Sequence, residues 1–374
     1  MFSFFLGFGL YDPFGTNGLY LDVFTILAVI SVILSNGFFN AFRKSVKEVK
    51  ILFLIAITLF LSAVIYGISF QNIIPINFKF ISAIIIFWLF SNVFADNTKT
   101  AVICMVLFSI SCGLISLGYV FGLFSNEVEI LNGRLRFFGE NPNSVSSRMA
   151  ISFIIIYYLA LFNPLKLSKI RYLTLLFLPF LTLFIIDTGS RGSLLILILS
   201  ILFLALVSKI KWIYKFLLVL ISIGVTVFMY IIVIKDSAIM ERFLNEGLTD
   251  SRDDLWGNAF SIFLNNPILG VGEEGYKIEA WKISNRVLDT HNLFLYFLVT
   301  GGFIAFILFM LFLLRLIKKA VIQLRNQNTL PFLILFFFIF LMSKTGGIIT
   351  YLVMWFFLAY INSFPYKISK NSFS

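Results

Sequence analysis

The chain has 374 residues, 60% of them hydrophobic and only 13% charged, with a net charge of +11. So few charges exclude an ordinary soluble domain, in which about a quarter of residues are charged. The basic excess lies in short clusters spread along the chain, which argues against a polyanion-binding patch, and nucleic acid is not an expected partner.

Apolar runs close to the roughly 17–25 residues that cross a bilayer as helix recur along the chain. In order they predict spans at about 19–36, 50–69, 78–95, 100–124, 144–162, 172–187, 192–208, 212–234, 292–314, 329–343 and 347–363. Lipid offers no hydrogen bonds to a backbone, so the expected fold is all-α: an integral, polytopic helical bundle of about 11–12 transmembrane helices, one membrane domain over residues 1–374. Residues 1–15 (MFSFFLGFGLYDPFG) are apolar but follow no Lys or Arg. A cleaved signal peptide is therefore not expected, and an interfacial segment, a re-entrant one or an extra span stay open. Cys104 and Cys112 fall on one predicted helix, roughly 12 Å apart at 1.5 Å per residue, too far for a disulfide. They read as packing residues.

Lys and Arg gather at alternate connections: Arg43, Lys44, Lys47 and Lys50; Lys99; Lys166, Lys169 and Arg171; Lys209, Lys211 and Lys215; Arg315, Lys318, Lys319 and Arg325; Lys367 and Lys370. This positive-inside pattern puts the N-terminus outside and the C-terminus in the cytoplasm. The long loop 235–291, between predicted spans 8 and 9, then faces outward. Its stretch from Lys235 to Thr290 holds ten of the eighteen acidic residues and six of the twenty-nine basic ones.

Four outward-facing polar segments follow from that topology. Gly133 to Asn143 carries Arg134 and Arg136 and ends in Asn141-Pro142-Asn143, a turn that opens a helix with Asn143 or Ser144 as cap. Two arginines on the side where arginine is sparse suit an anionic ligand, or simply solvent. Thr188-Gly189-Ser190-Arg191-Gly192-Ser193 forms a whole connection, so Arg191 belongs near the membrane surface, either meeting a ligand or snorkelling beside Asp187. Ser251 and Asp254 resemble a capping box, and Leu255, Ala259, Ile262 and Phe263 recur at helical spacing. A short amphipathic helix is expected there, Arg252 at its start and its apolar side on the membrane. Asp253 and Asp254 suit a divalent metal, or the dipole of that helix. Asp289-Thr290-His291-Asn292 enters the ninth span, and His291 is the single histidine, either a proton acceptor near neutral pH or a polar helix-start residue. Gly270-Val271-Gly272-Glu273-Glu274-Gly275 matches a dinucleotide-binding spacing, but it follows no strand and two glutamates would repel a pyrophosphate. It reads as a flexible turn.

In order and spacing, Arg136 through Gly139 to Asn141-Pro142-Asn143, Ser190-Arg191-Gly192, Arg252 through Trp256, Asn266-Pro267 through Gly272, and Thr290-His291-Asn292 with Gly301-Gly302 resemble the family of O-antigen polymerases and O-antigen ligases. The resemblance implies a GT-C-like, metal-independent membrane glycosyltransferase without cofactors in a bacterial cytoplasmic (inner) membrane, its active site facing the periplasm or exterior. Its donor and acceptor would be oligosaccharides on undecaprenyl pyrophosphate, and a chain-length regulator protein is a candidate partner beside the lipid bilayer. By matching positions, Arg191 would contact the lipid pyrophosphate, with Arg136 or Arg252 sharing the task; Arg134 and Asn143 are further expected substrate-binding residues. His291 would be the base that activates the acceptor hydroxyl. The family usually has about twelve spans with both termini cytoplasmic, whereas eleven are counted here with the N-terminus outside.

The chemistry is consistent on its own terms. A departing pyrophosphate needs charge stabilisation more than a proton donor, and arginine supplies it through bidentate bonds to phosphate oxygens. The attacking hydroxyl needs a base, which one imidazole provides. The leading expectation is a polymerase joining lipid-linked repeat units into an O-antigen or capsule. The alternatives are a ligase moving finished polymer to lipid A–core or another acceptor, and a non-enzymatic flippase for the same lipid-linked sugar.

Overall fold

The structure, a computed structural model, describes residues 1–8, 19–37, 42–131, 134–162, 173–207, 213, 252–285, 289–344 and 347–365. Helices dominate it, as the apolar runs require. They are α1 (Phe2–Phe8), α2 (Leu19–Asn36), α3 (Val46–Ile65), α4 (Phe70–Asp96), α5 (Thr98–Val120), α6 (Pro142–Phe162), α7 (Leu178–Asp187) and α8 (Arg191–Val207). After these come α9 (Arg252–Asn265), α10 (Gly272–Ser284), α11 (Leu293–Arg325), α12 (Leu330–Met342) and α13 (Leu352–Asn362). Among the described residues α3, α4, α5, α6 and α11 are long and apolar enough to cross a bilayer, and the apolar helices within 174–187, 191–206, 330–342 and 352–362 are shorter. The chain is an all-α polytopic membrane protein. The span predicted at 212–234 falls almost wholly outside the described residues.

The helices group into two compact units, one formed by Met1–Ser31 and Asn97–Leu248, the other by Val32–Asp96 and Thr249–Ser374.

In the first unit α5, α6 and α7 pack around Phe108, Met149, Ile155 and Phe184, all fully buried, because their helices are apolar on nearly every face. The N-terminal segment forms α1, whose seven residues are too few to cross a bilayer. It buries Phe2, Ser3, Leu6 and Gly7 against α5, and the Gly7 carbonyl lies 3.4 Å from Cys112 Sγ. Cys104 and Cys112 are both free thiols. The segment before α6, where only the turn into that helix was expected, also holds an antiparallel hairpin of β1 (Val128–Leu131) and β2 (Arg134–Phe137), with Glu129 opposite Arg136. Alternation explains its seating. Leu135 and Phe137 are buried, Phe137 edge-on to Phe184 at 5.1 Å, while Arg134 and Arg136 share the other, half-buried face.

In the second unit α3 lies along α11, and α4 along α13. Phe80, Phe87, Phe312 and Trp355 form a buried aromatic core, with Trp355 Nε1 donating to the Ile349 carbonyl at 2.7 Å. Two helices, α9 and α10, form the described part of the long loop. The stripe Ala259, Ile262 and Phe263 on α9 does not face outward to a membrane, as expected from its amphipathicity. It packs on Val271, Tyr276, Ala280 and Val299, because α10 and α11 offer protein surface for it. Phe260 and Leu264 are the exposed apolar residues of α9.

Gly270 and Gly272 take φ of +68° and +71°, as glycine does without strain, but their turn is tightly packed and not a flexible connection. A Cβ on Gly270 would stand 2.4 Å from the Val299 carbonyl oxygen, and one on Gly302 2.2 Å from that of Ile268. At Gly302 α11 breaks helical geometry, with φ 64° and ψ −166°. The turn supplies a replacement acceptor and a replacement donor there: the Pro267 carbonyl accepts Phe303 N at 2.8 Å, and Val271 N donates to the Val299 carbonyl at 3.0 Å. The Asn266–Gly272 and Gly301-Gly302 pieces thus interlock in the fold.

Candidate functional site

The first unit assembles Arg134, Asn143 and the Thr188–Ser193 turn. Asn141, not Asn143 or Ser144, caps α6: its Oδ1 accepts the Asn143 amide at 2.9 Å, with Pro142 as the first helical residue. The Asn143 side chain is thereby left for other work. Its Oδ1 accepts from Arg134 Nη2 at 2.7 Å and from Ser190 Oγ at 3.1 Å, while Arg134 Nε donates to the Thr188 carbonyl at 3.2 Å. A strand arginine, a helix-start asparagine and an interhelical turn are tied into one polar knot.

Arg191, half-buried, is the first residue of α8. Ser190 just before it bonds Ser193 Oγ at 3.1 Å and accepts the Leu194 amide at its carbonyl, at 3.2 Å. Gly189, at φ +64°, turns the chain so tightly that the whole connection fits between two helices. A guanidinium at the N-terminus of a helix adds a full charge to the partial positive charge of the unsatisfied amides, the arrangement that anions favour. Asp187, considered above as a neighbour for Arg191, accepts the Tyr119 hydroxyl at 2.9 Å.

The first unit also holds a pair that the sequence did not single out. Arg148 and Glu140 are both buried and meet through two bonds, Nη1 to Oε2 at 2.8 Å and Nη2 to Oε1 at 3.0 Å. The bidentate pair staples the turn after β2 to the second turn of α6.

Arg252 and His291 belong to the second unit. Arg252 opens α9; its side chain, like Ser251, lies outside the described residues. His291 precedes α11 and is not its cap. That role falls to Asn292, whose Oδ1 accepts the amides of Phe294 and Leu295 at 3.0 and 3.1 Å. His291 itself is half-buried at φ +50°, a left-handed conformation uncommon for a residue with a Cβ. Its neighbours hold it there. Trp256 Nε1 donates to the Thr290 carbonyl at 3.0 Å, and Thr290 Oγ1 to the Asn292 carbonyl at 3.0 Å. Lys344 Nζ stands 5.9 Å over the Trp256 ring.

Helix α10 anchors this corner. Tyr296 donates to Glu273 at 2.7 Å, and Tyr66 to Glu279. Lys282 and then Tyr66 hold the Glu279 carboxyl below its ordinary range. Burial, helped by the charge of Asp289, pushes the Tyr276 phenol up to about 12, so it stays neutral.

Buried polar knots between apolar helices, with a cation at a helix start, belong to a multi-pass membrane protein. Residues 174–310 match the family model described as O-antigen ligase. The likeness drawn from the ordered motifs therefore holds over the segment that contains Arg191, Arg252, His291 and the interlocking glycines, while Arg134, Arg136 and Asn143 precede it. The family implies O-antigen polymerase or ligase activity, and an enzyme of the glycosyltransferase or ligase kind. A comparison with curated proteins gave no match.

Proposed function

We propose that the protein is a polymerase that joins undecaprenyl-pyrophosphate-linked oligosaccharide repeat units on the extracytoplasmic face of a bacterial inner membrane. The observation that carries this reading is Arg191 at the first position of α8, within the family-matched segment and beside the knot of Ser190, Asn143 and Arg134. Arg191 binds the donor's diphosphate, with Arg136 and Arg252 as further phosphate contacts. Arg134 and Asn143 hold the turn that carries it. As the bond from the anomeric carbon to the pyrophosphate oxygen breaks, negative charge grows on the diphosphate, and a fixed guanidinium stabilises it more than water does. His291 takes the proton from the acceptor hydroxyl as that oxygen bonds to the anomeric carbon. The lipid pyrophosphate leaves and the glycan is one unit longer. Neither step calls for a metal.

Purified protein in detergent, given a lipid-linked repeat unit, should convert it to a ladder of lipid-linked oligomers with release of undecaprenyl pyrophosphate. Absence of any new glycosidic bond would overturn the enzymatic reading and leave lipid translocation to be measured. The description of the matched family favours a second reading, a ligase. Deleting the gene separates the two. Single-repeat surface glycan marks a lost polymerase; lipid-linked polymer that stays unattached marks a lost ligase.

A further inference from the structure

The second unit carries a cationic pocket that the proposed reaction does not use. A cavity of about 660 Å³ is lined by Arg43, Lys44, Lys47, Arg315 and Lys319, with Glu48 as the one carboxylate. Its floor is a fixed network. Buried Lys319 donates to the carbonyl and to Oδ1 of Asn362, both at 2.6 Å. Buried Glu48 accepts Arg315 Nε at 2.9 Å, which sets the plane of that guanidinium. The rim is held as well. Lys44 N donates to Asn92 Oδ1 at 2.6 Å, and Trp88 Nε1 donates to the Lys44 carbonyl at 2.8 Å. Lys44 pairs with Asp96, while Arg43 and Lys47 are exposed.

Arg315 also borders a second space, an apolar groove of about 440 Å³ lined by Ile51, Leu311, Leu314 and Lys318. Leu311 and Leu314 are 46% and 55% exposed, so the groove is open along the helices. A cationic pocket that shares Arg315 with an apolar slot has the chemistry of an amphiphile site. A free phosphate would satisfy the cations but has no use for the groove, and a zwitterionic lipid gains little from an excess of positive charge.

We propose that this pocket and groove bind an anionic phospholipid, its phosphate among Arg43, Lys47 and Arg315 and an acyl chain along Ile51, Leu311 and Leu314. The basic clusters at 43–50 and 315–325 belong to the face that the charge distribution assigns to the cytoplasm, so the lipid comes from the inner leaflet. The inference stands apart from the reaction proposed above and survives its failure.

The test uses the full chain in detergent with equimolar phosphatidylglycerol and phosphatidylcholine of identical acyl chains, bound lipid being counted by native mass spectrometry. The wild type should retain phosphatidylglycerol in preference, and the preference should weaken as salt is raised. Arg43→Gln/Lys47→Gln should lower the retained phosphatidylglycerol roughly tenfold or more. Lys99→Gln/Arg325→Gln, which removes the same charge outside the pocket, should leave it unchanged. Equal retention of both lipids by the wild type, indifference to salt, or an unaltered preference in the pocket variant would overturn the proposal. Displacement of the lipid by millimolar inorganic phosphate would reassign the pocket to a free anion.

Discussion

Arg134 reaches across the turn that ends β2 and donates from Nη2 to Asn143 Oδ1 at 2.7 Å. The same oxygen accepts Ser190, so one amide side chain sets both the strand arginine and the turn that precedes Arg191. Removing it releases both. Asn143→Ala should cost about 2 kcal/mol of stability, since hydrogen bonds to charged groups contribute roughly 1.5–3 kcal/mol. It should slow chain extension while membrane insertion persists. Asn143→Asp, which keeps the acceptor, should recover most of the lost stability in a thermal unfolding measurement.

Arg191→Ala and His291→Ala should each abolish chain extension by protein that still inserts in the membrane. The two should differ under rescue. Arg191→Lys keeps the charge but loses the bidentate fork, and partial activity with a raised KM is expected. His291→Gln keeps a polar side chain but no base of comparable strength, so kcat should stay lost. Wild-type activity in His291→Ala would remove the base assignment.

The Glu140–Arg148 pair is buried at both ends. Breaking such a pair by removing one partner leaves a charge without its counter-ion and costs about 3–5 kcal/mol. Glu140→Ala should therefore lower the unfolding temperature sharply. Glu140→Leu/Arg148→Met, which replaces both charges with apolar volume, should restore most of it. If the single and double variants were equally unstable, the pair would not be acting as a charge pair.

Gly270 and Gly302 stand against carbonyl groups, not against movable side-chain ends. Gly270→Ala or Gly302→Ala should each cost at least about 2 kcal/mol, through a steric clash and a positive φ together. Gly257 on α9 has open space around its Cβ position. Gly257→Ala should be neutral, or stabilising by up to about 1 kcal/mol, from the gain in helix propensity. Thermal unfolding of the three variants in one detergent compares them directly.

Some of the tertiary detail left a mark in the chain that a motif search passes over. Asn132-Gly133, standing between Val128–Leu131 and Arg134–Phe137, is the strongest short-range hairpin signal, here overshadowed by the two arginines that follow it. Helix α10 was hidden by its polarity: Glu273, Glu274, Lys277, Glu279 and Lys282 leave only Tyr276 and Ala280 as buried residues with side chains at helical spacing. The turn offered Asn143 and Ser144 as caps, and the choice of Asn141 instead is what freed the Asn143 side chain for Arg134.

The run of membrane helices was legible residue by residue, because a bilayer imposes a length and an apolar composition on each segment independently of the rest. The boundaries of α2, α6, α8 and α12 lie within a few residues of the expected spans for that reason. Partnership between polar side chains has no such local cause. Asn143 meets Ser190, Glu48 meets Arg315 and Ser91 meets Asn362 across tens to hundreds of residues, and each pairing exists only because helices distant in sequence pack side by side and exclude the water that would otherwise satisfy both groups.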